Sequence, residues 1–302
     1  MKLVFFGSSE FSVYVLEELK LQNFLPSLII TTPDKPQGRK LILTPNVVKI
    51  WAEKNNIKFL NPISLKKENS EIVSNLKSCD PDIFLVASYG KIIPKEIFEI
   101  PKFKTLNIHP SLLPKYRGAS PIQAQILNTE KEIGVTIMQI NEEMDKGEII
   151  IQKITHQNLI STSLTLKEIP NRKELEKNLA IEGAKLFTQI LPDWLAHKIK
   201  PITQDENKAT YCQKIIKEDG ELQIDLKNLP TGKEAEKNLA KIKAFEDWPT
   251  TYFYTERNGK KIRVIITQAV LENDKLKILR VIPEGKKEML YEDFLRGVKG
   301  HL

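Results

Sequence analysis

The chain has 302 residues, 41% of them hydrophobic, and a net charge of +7. That length exceeds the usual single domain and carries enough apolar material to fill cores, which excludes a globally disordered chain. Two distant cysteines, Cys79 and Cys212, exclude a disulfide framework, and four histidines without H-E-x-x-H spacing give no expectation of a metal.

The first residues, Lys2 to Phe6, read as a buried strand ending at Gly7, with Ser8 or Ser9 capping a helix whose inner face is Val15, Leu16 and Leu19. No signal-peptide pattern precedes that strand, and no apolar run in the chain approaches membrane-spanning length. A reducing cytoplasm is expected. Leu25 to Thr31 reads as a second strand. Thr44-Pro45 predicts a cap and a helix to about Asn55, followed by a short strand at 57–60 and a polar helix at 70–77. Asp82 to Ser88 and Thr105 to His109 read as buried strands, Pro121 to Asn128 as a helix, and Gly134 to Ile140 as a strand. Strands alternating with helices predict a mostly parallel, helix-covered sheet of Rossmann-like α/β type. A lone Gly7 without G-x-G-x-x-G gives little support to a dinucleotide site.

Leu175 to His197 predicts a long amphipathic helix, and 197–208 a linker. Beyond it, strands are expected at 222–226, 250–255, 261–271 and 275–282, with one helix at 233–244 and a hairpin turn at Asn258-Gly259. This pattern fits a small β-barrel-like domain. The division is 1–196, linker 197–208, and 209–302.

The chemistry concentrates in Asn107-Ile108-His109-Pro110-Ser111-Leu112-Leu113-Pro114. Residues two apart on a strand point the same way, so Asn107 and His109 project together. An amide donor beside an imidazole can polarise a carbonyl and deliver a proton. The pair could equally tie down a strand end and form a satisfied buried histidine. A carboxylate is needed to orient the ring; Asp145, in the loop before Gly147, is the first candidate, with Glu142, Glu143 and Glu148 competing on residue type. No G-x-S-x-G elbow points to a covalent acyl-enzyme.

N-x-H-x-S-L-L-P with a later D-x-G resembles the folate-dependent formyltransferases. The resemblance implies that Asn107 and His109 hold the formyl oxygen and developing oxyanion, and that Asp145 orients His109 and assists proton transfer through water. It implies a folate pocket lined by Ser111, Leu112, Leu113, Pro114, Tyr89, Gly90 and Ile140. Three features resemble the branch acting on tRNA. They are 32–40, with Lys35, Arg39 and Lys40; R-G-A-S-P-I-Q (117–123) with G-V-T-I-M-Q (134–139); and the later Ala209-Thr210-Tyr211 and Glu284-Gly285-Lys286-Lys287 elements. The implied reaction moves a formyl group from 10-formyltetrahydrofolate to the α-amine of methionyl-initiator tRNA. The second domain is then OB-like, with Lys214, Lys286 and Lys287 joining Lys35, Arg39 and Lys40 as phosphate contacts. A monomer is expected. The alternative within the family is a sugar-nucleotide N-formyltransferase; outside it, an RNA-binding protein that has lost catalysis.

Overall fold

The computed structural model describes residues 1–37, 41–66, 69–155, 170–257 and 259–299. The chain divides into two compact units. The first holds Met1–Arg117, Ile133–Thr155 and Glu176–Tyr211; the second holds Gly118–Glu132, His156–Leu175 and Cys212–Leu302.

In chain order, β1 (Leu3–Gly7) leads through α1 (Glu10–Leu21) to β2 (Leu28–Ile30) and a small hairpin, β3 (Lys35–Gln37) with β4 (Ile42–Thr44). Then come α2 (Val47–Lys54), β5 (Phe59–Leu60), α3 (Asn69–Ser78), β6 (Ile83–Ala87), α4 (Lys95–Phe98) and β7 (Thr105–His109). The middle of the chain supplies β8 (Arg117–Gly118), α5 (Pro121–Leu127), β9 (Gly134–Gln139), β10 (Ile149–Ile154) and α6 (Arg172–Leu195). The last part holds β11 (Tyr211–Cys212), α7 (Gly232–Ala244), β12 (Thr251–Arg257), β13 (Lys260–Glu272), β14 (Lys275–Pro283), β15 (Met289–Leu290) and α8 (Tyr291–Lys299).

The first unit is built on a seven-stranded sheet in the order β10-β9-β7-β6-β1-β2-β5. From β7 to β5 every pairing is parallel, while β9 pairs antiparallel with both β7 and β10. β1 and β6 are buried along their whole length, as unbroken apolar runs covered on both faces should be. One face packs Val4, Phe6, Ile30, Phe84 and Val86 against Leu76 and Ile97. On α1, Val15, Leu16 and Leu19 are fully buried, as their spacing predicts. α6 comes close enough to β7 that a Cβ on Gly183 would lie 2.4 Å from the Ile108 side chain. Ile108 therefore points at α6, and strand alternation sends Asn107 and His109 to the other face.

Three expectations change in detail. Asn46, not Thr44, caps α2: its side chain accepts from the Val48 and Lys49 amides, while Thr44 ends β4. The expected linker at 197–208 packs within the first unit. There Ile202 and Ile149 exchange backbone hydrogen bonds of 2.8 Å, and Gln204 is buried. Residues 222–226 form no strand; Leu222 donates to the Tyr252 carbonyl, and Asp225 then turns the chain by accepting from the Lys227 amide.

In the second unit β12-β13-β14-β15 form a four-stranded antiparallel sheet backed by α7 and α8. The β12–β13 hairpin turns where expected, with Gly259 at φ 69; Asn258 lies outside the described residues. The β13–β14 hairpin turns on Asn273 and Asp274, both at positive φ, the pair that a type I′ turn requires. A β-barrel-like domain was expected; the described residues of this unit show a four-stranded antiparallel sheet, to which Glu221 adds a single bridge at Tyr252.

Candidate active site

β7 ends at His109, which is 4% exposed, with Asn107 half-buried two residues earlier. The Asn107 amide side chain makes no hydrogen bond among the described residues, so its donors stay available to a ligand. His109 Nε2 donates to the Tyr116 carbonyl at 3.0 Å. On the ring's other side, Nδ1 lies 3.7 Å from Asp145 Oδ1. That is beyond a direct hydrogen bond but within ion-pair reach. The ring thus has an acceptor group on each side, the Tyr116 carbonyl in hydrogen-bond contact and the Asp145 carboxylate a little further off. Of the competitors for the carboxylate role, Glu142 and Glu143 face outward to Lys95 and Lys146, and Glu148 is exposed.

Asp145 reaches the ring because the loop after β9 folds tightly. The left-handed residue is Asp145 itself, at φ 56. Gly147 meets a different need, since a Cβ there would lie 1.6 Å from the Gln139 carbonyl oxygen. Glycine thus serves close approach rather than unusual dihedrals.

The S-L-L-P segment is latched to β9 through one hydroxyl. Thr136 Oγ1 donates to the Ser111 carbonyl at 2.6 Å and accepts from the Leu113 amide at 3.1 Å and from Gln152 Nε2 at 2.9 Å. The Ser111 hydroxyl donates to the Lys115 carbonyl, and Leu113 packs with Met138 and Ile149. Ser111 and Leu113 therefore shape the segment, while Leu112 and Pro114 are half-buried. The Tyr89 ring sits in the core, edge-on to Phe6, so Tyr89 offers its backbone rather than its ring. Ser88 and Gly90 on either side are exposed and at positive φ. Ser8 Oγ, 2.8 Å from the Tyr89 carbonyl, pins that turn to the end of β1. Ile140 is partly buried against the same core.

Among the expected phosphate contacts, Lys35, Lys214, Lys286 and Lys287 are exposed. Arg39 and Lys40 lie outside the described residues. The base of the β3–β4 hairpin is clamped: Asp34 accepts from the Asn46 amide at 3.1 Å and from Lys49 Nζ at 2.8 Å. The Lys49 hydrogen bond holds the Asp34 carboxyl below its ordinary range.

Sequence reasoning noted Arg117 only as part of a motif and passed over Gln204 entirely. Arg117 is fully buried and donates to Gln204, Glu206 and Tyr211. The signal was present, since an arginine between Tyr116 and Gly118 at the rim of a catalytic segment needs acceptors. Ala209-Thr210-Tyr211, expected in the second domain, falls in the first unit. Thr210 Oγ1 accepts from the Tyr116 amide at 2.8 Å.

A helix-covered sheet that offers an asparagine, a histidine and an aspartate, in a sequence without a G-x-S-x-G elbow, has the chemistry that direct acyl transfer requires. Residues 1–182 match the family model described as formyl transferase. The methionyl-tRNA formyltransferase of Halalkalibacterium halodurans is 34% identical, over 100% of this chain and 96% of its own. Among solved structures, the methionyl-tRNA formyltransferase from Clostridium thermocellum matches with a TM-score of 0.58 at 20% identity, covering 94% of this chain and 98% of that one. A 4-N formyltransferase from Francisella tularensis matches at 0.60 and 22% identity, over 89% and 99%. The two structural likenesses speak for the fold alone. The chain belongs to the formyl transferase family, in its methionyl-tRNA branch.

Proposed function

We propose that this chain transfers the formyl group of 10-formyltetrahydrofolate to the α-amine of methionyl-initiator tRNA in the cytoplasm. The observation that carries the reading is the convergence of Asn107, His109 and Asp145 in a chain that matches methionyl-tRNA formyltransferases along its whole length. The uncommitted Asn107 amide and the exposed backbone of the 88–90 turn suit a folate donor, with Leu112, Pro114 and Ile140 as its apolar contacts. Such a donor supplies a formyl group already activated on nitrogen.

Asn107 donates to the formyl oxygen as negative charge develops on it. His109, held between the Tyr116 carbonyl and the Asp145 carboxylate, stands beside that oxyanion and supplies a proton toward the departing nitrogen. Asp145 orients the ring and takes up the proton lost by the attacking amine. No helix among the described residues is long and apolar enough to cross a membrane. For the tRNA, the second unit's sheet offers an OB-like platform. Lys261 lies 4.3 Å from the Tyr254 ring centroid and Arg263 4.6 Å from that of Tyr252, the mixture of cations and aromatic faces that supports RNA contact. Lys214, Lys286 and Lys287 add charge on the same unit, and Lys35, Arg39 and Lys40 on the first.

The deciding experiment is transfer of labelled formyl from 10-formyltetrahydrofolate to methionyl-initiator tRNA, with methionyl-elongator tRNA and an amino-sugar nucleotide alongside. Label on initiator tRNA, reduced roughly 10²–10⁴-fold by Asn107→Ala, His109→Ala or Asp145→Ala, is the expected result. Label on the sugar would replace the acceptor; no label despite folate binding would leave a binding protein.

A further inference from the structure

We propose that Arg117 and Gln204 are positioning residues that set the two acceptors flanking the His109 ring, an inference that rests on reading this site as the transfer centre.

The path starts at the Arg117 guanidinium. Nε and Nη2 both donate to Gln204 Oε1, at 3.0 and 2.8 Å. Nη1 and Nη2 also reach the Glu206 carboxylate, at 3.0 and 2.8 Å, and Nη1 reaches the Tyr211 hydroxyl at 2.9 Å. A planar donor fork fixes direction as well as contact. Because Arg117 claims the oxygen of Gln204, the amide cannot flip, and its NH₂ end must face the loop that bears Asp145. There Nε2 donates to the Asp145 carbonyl at 2.8 Å and to the Gly147 carbonyl at 2.7 Å. Those two bonds hold Asp145 in a left-handed conformation that aspartate adopts at some cost.

The same arginine registers the opposite side of the ring. The carbonyl that accepts from His109 Nε2 belongs to the peptide joining Tyr116 to Arg117. Thr210 fixes that peptide's neighbourhood, taking the Tyr116 amide on its hydroxyl and the Arg117 amide, at 2.9 Å, on its carbonyl. One buried side chain and its own backbone thus govern the acceptor at Nε2 and the carboxylate facing Nδ1. Arg117 and Gln204 act on the groups that flank the His109 ring, the Tyr116–Arg117 peptide and the loop of Asp145, so the role is one of position.

The experiment uses the full chain with Gln204→Glu and Gln204→Met. Gln204→Glu keeps an acceptor for Arg117 but turns an oxygen toward the Asp145 and Gly147 carbonyls; Gln204→Met keeps length and loses both sets of bonds. Turnover should fall roughly 10²-fold in each, the scale of a small misplacement of a reacting group. KM for 10-formyltetrahydrofolate and for methionyl-initiator tRNA should stay within about twofold of wild type, as position rather than binding is altered. The ¹⁵N resonance of His109 Nδ1 in the free protein should move in both variants. Unchanged turnover with an unmoved His109 signal would overturn the proposal. So would a joint loss of turnover and binding with a lowered melting temperature and an unmoved signal, which marks a purely structural network. The resonance needs no turnover, so a wild-type protein that transfers no formyl would sink the reading of the centre while the positioning proposal is still judged by His109.

Discussion

Asn107 and His109 share a direction because Ile108 between them is committed to α6, where Gly183 leaves room for it. The three proposed catalytic residues were legible because each sits in a short local pattern: a strand end stopped by Pro110, and a loop closed by Gly147. The link from Arg117 to Gln204 was not, since 87 positions separate them and Gln204 carries no pattern of its own. Thr136 was hidden for a similar reason, reading as one more β-branched strand residue. Its hydroxyl can be probed directly. Thr136→Val keeps the volume but leaves the Leu113 amide and the Ser111 carbonyl without their partner, a loss of about 1–3 kcal/mol for a buried group. Urea unfolding should show that loss, and the KM for the folate should rise more than the KM for tRNA. Equal stability in the two proteins would show that the latch is dispensable.

Elements were read well where apolar runs were long and poorly where side chains, not periodicity, set the boundary. β1, β6, β7, β9 and α7 fall close to where pattern puts them, whereas the β3–β4 hairpin and α8 went unseen. At the loop after β9, Gly147→Ala would drive a methyl into the Gln139 carbonyl. The loop must shift, and with it Asp145; turnover should drop roughly 10–10²-fold while the circular dichroism spectrum stays that of wild type. α8 offers a pH test. Tyr291, stacked on Phe294, buries its hydroxyl without a hydrogen-bond partner among the described residues, and burial pushes its pKa from 10.0 up to about 12. A raised value in the folded state means stability that is complete below pH 10.0 and is lost as pH rises through about 12. Near-ultraviolet dichroism and tyrosinate absorbance should therefore show α8 releasing over that window, and Tyr291→Phe should delay it.

For the whole molecule, an excess of seven positive charges fits a polyanionic partner better once exposed lysines occur on both units. Four phosphate contacts from Lys35, Lys214, Lys286 and Lys287 would weaken tRNA binding roughly 10²-fold between about 50 and 200 mM salt. Folate binding should change far less over that range. A flat salt response for tRNA would remove these lysines from the interface.

The second unit takes Gly118–Glu132 from the middle of the chain, and α5 within that insert packs on α7. It is thus no detachable cassette. A gene fragment starting at Cys212 would encode α7 with Leu239 and Ala240 in place but without the helix carrying Ile122 and Ile126. Chimaeras that exchange only the tail with a relative inherit a foreign seam between those two helices. Recombination within this family should succeed when α5 and α7 travel together, and protein engineers would do better to cut the sequence twice than once.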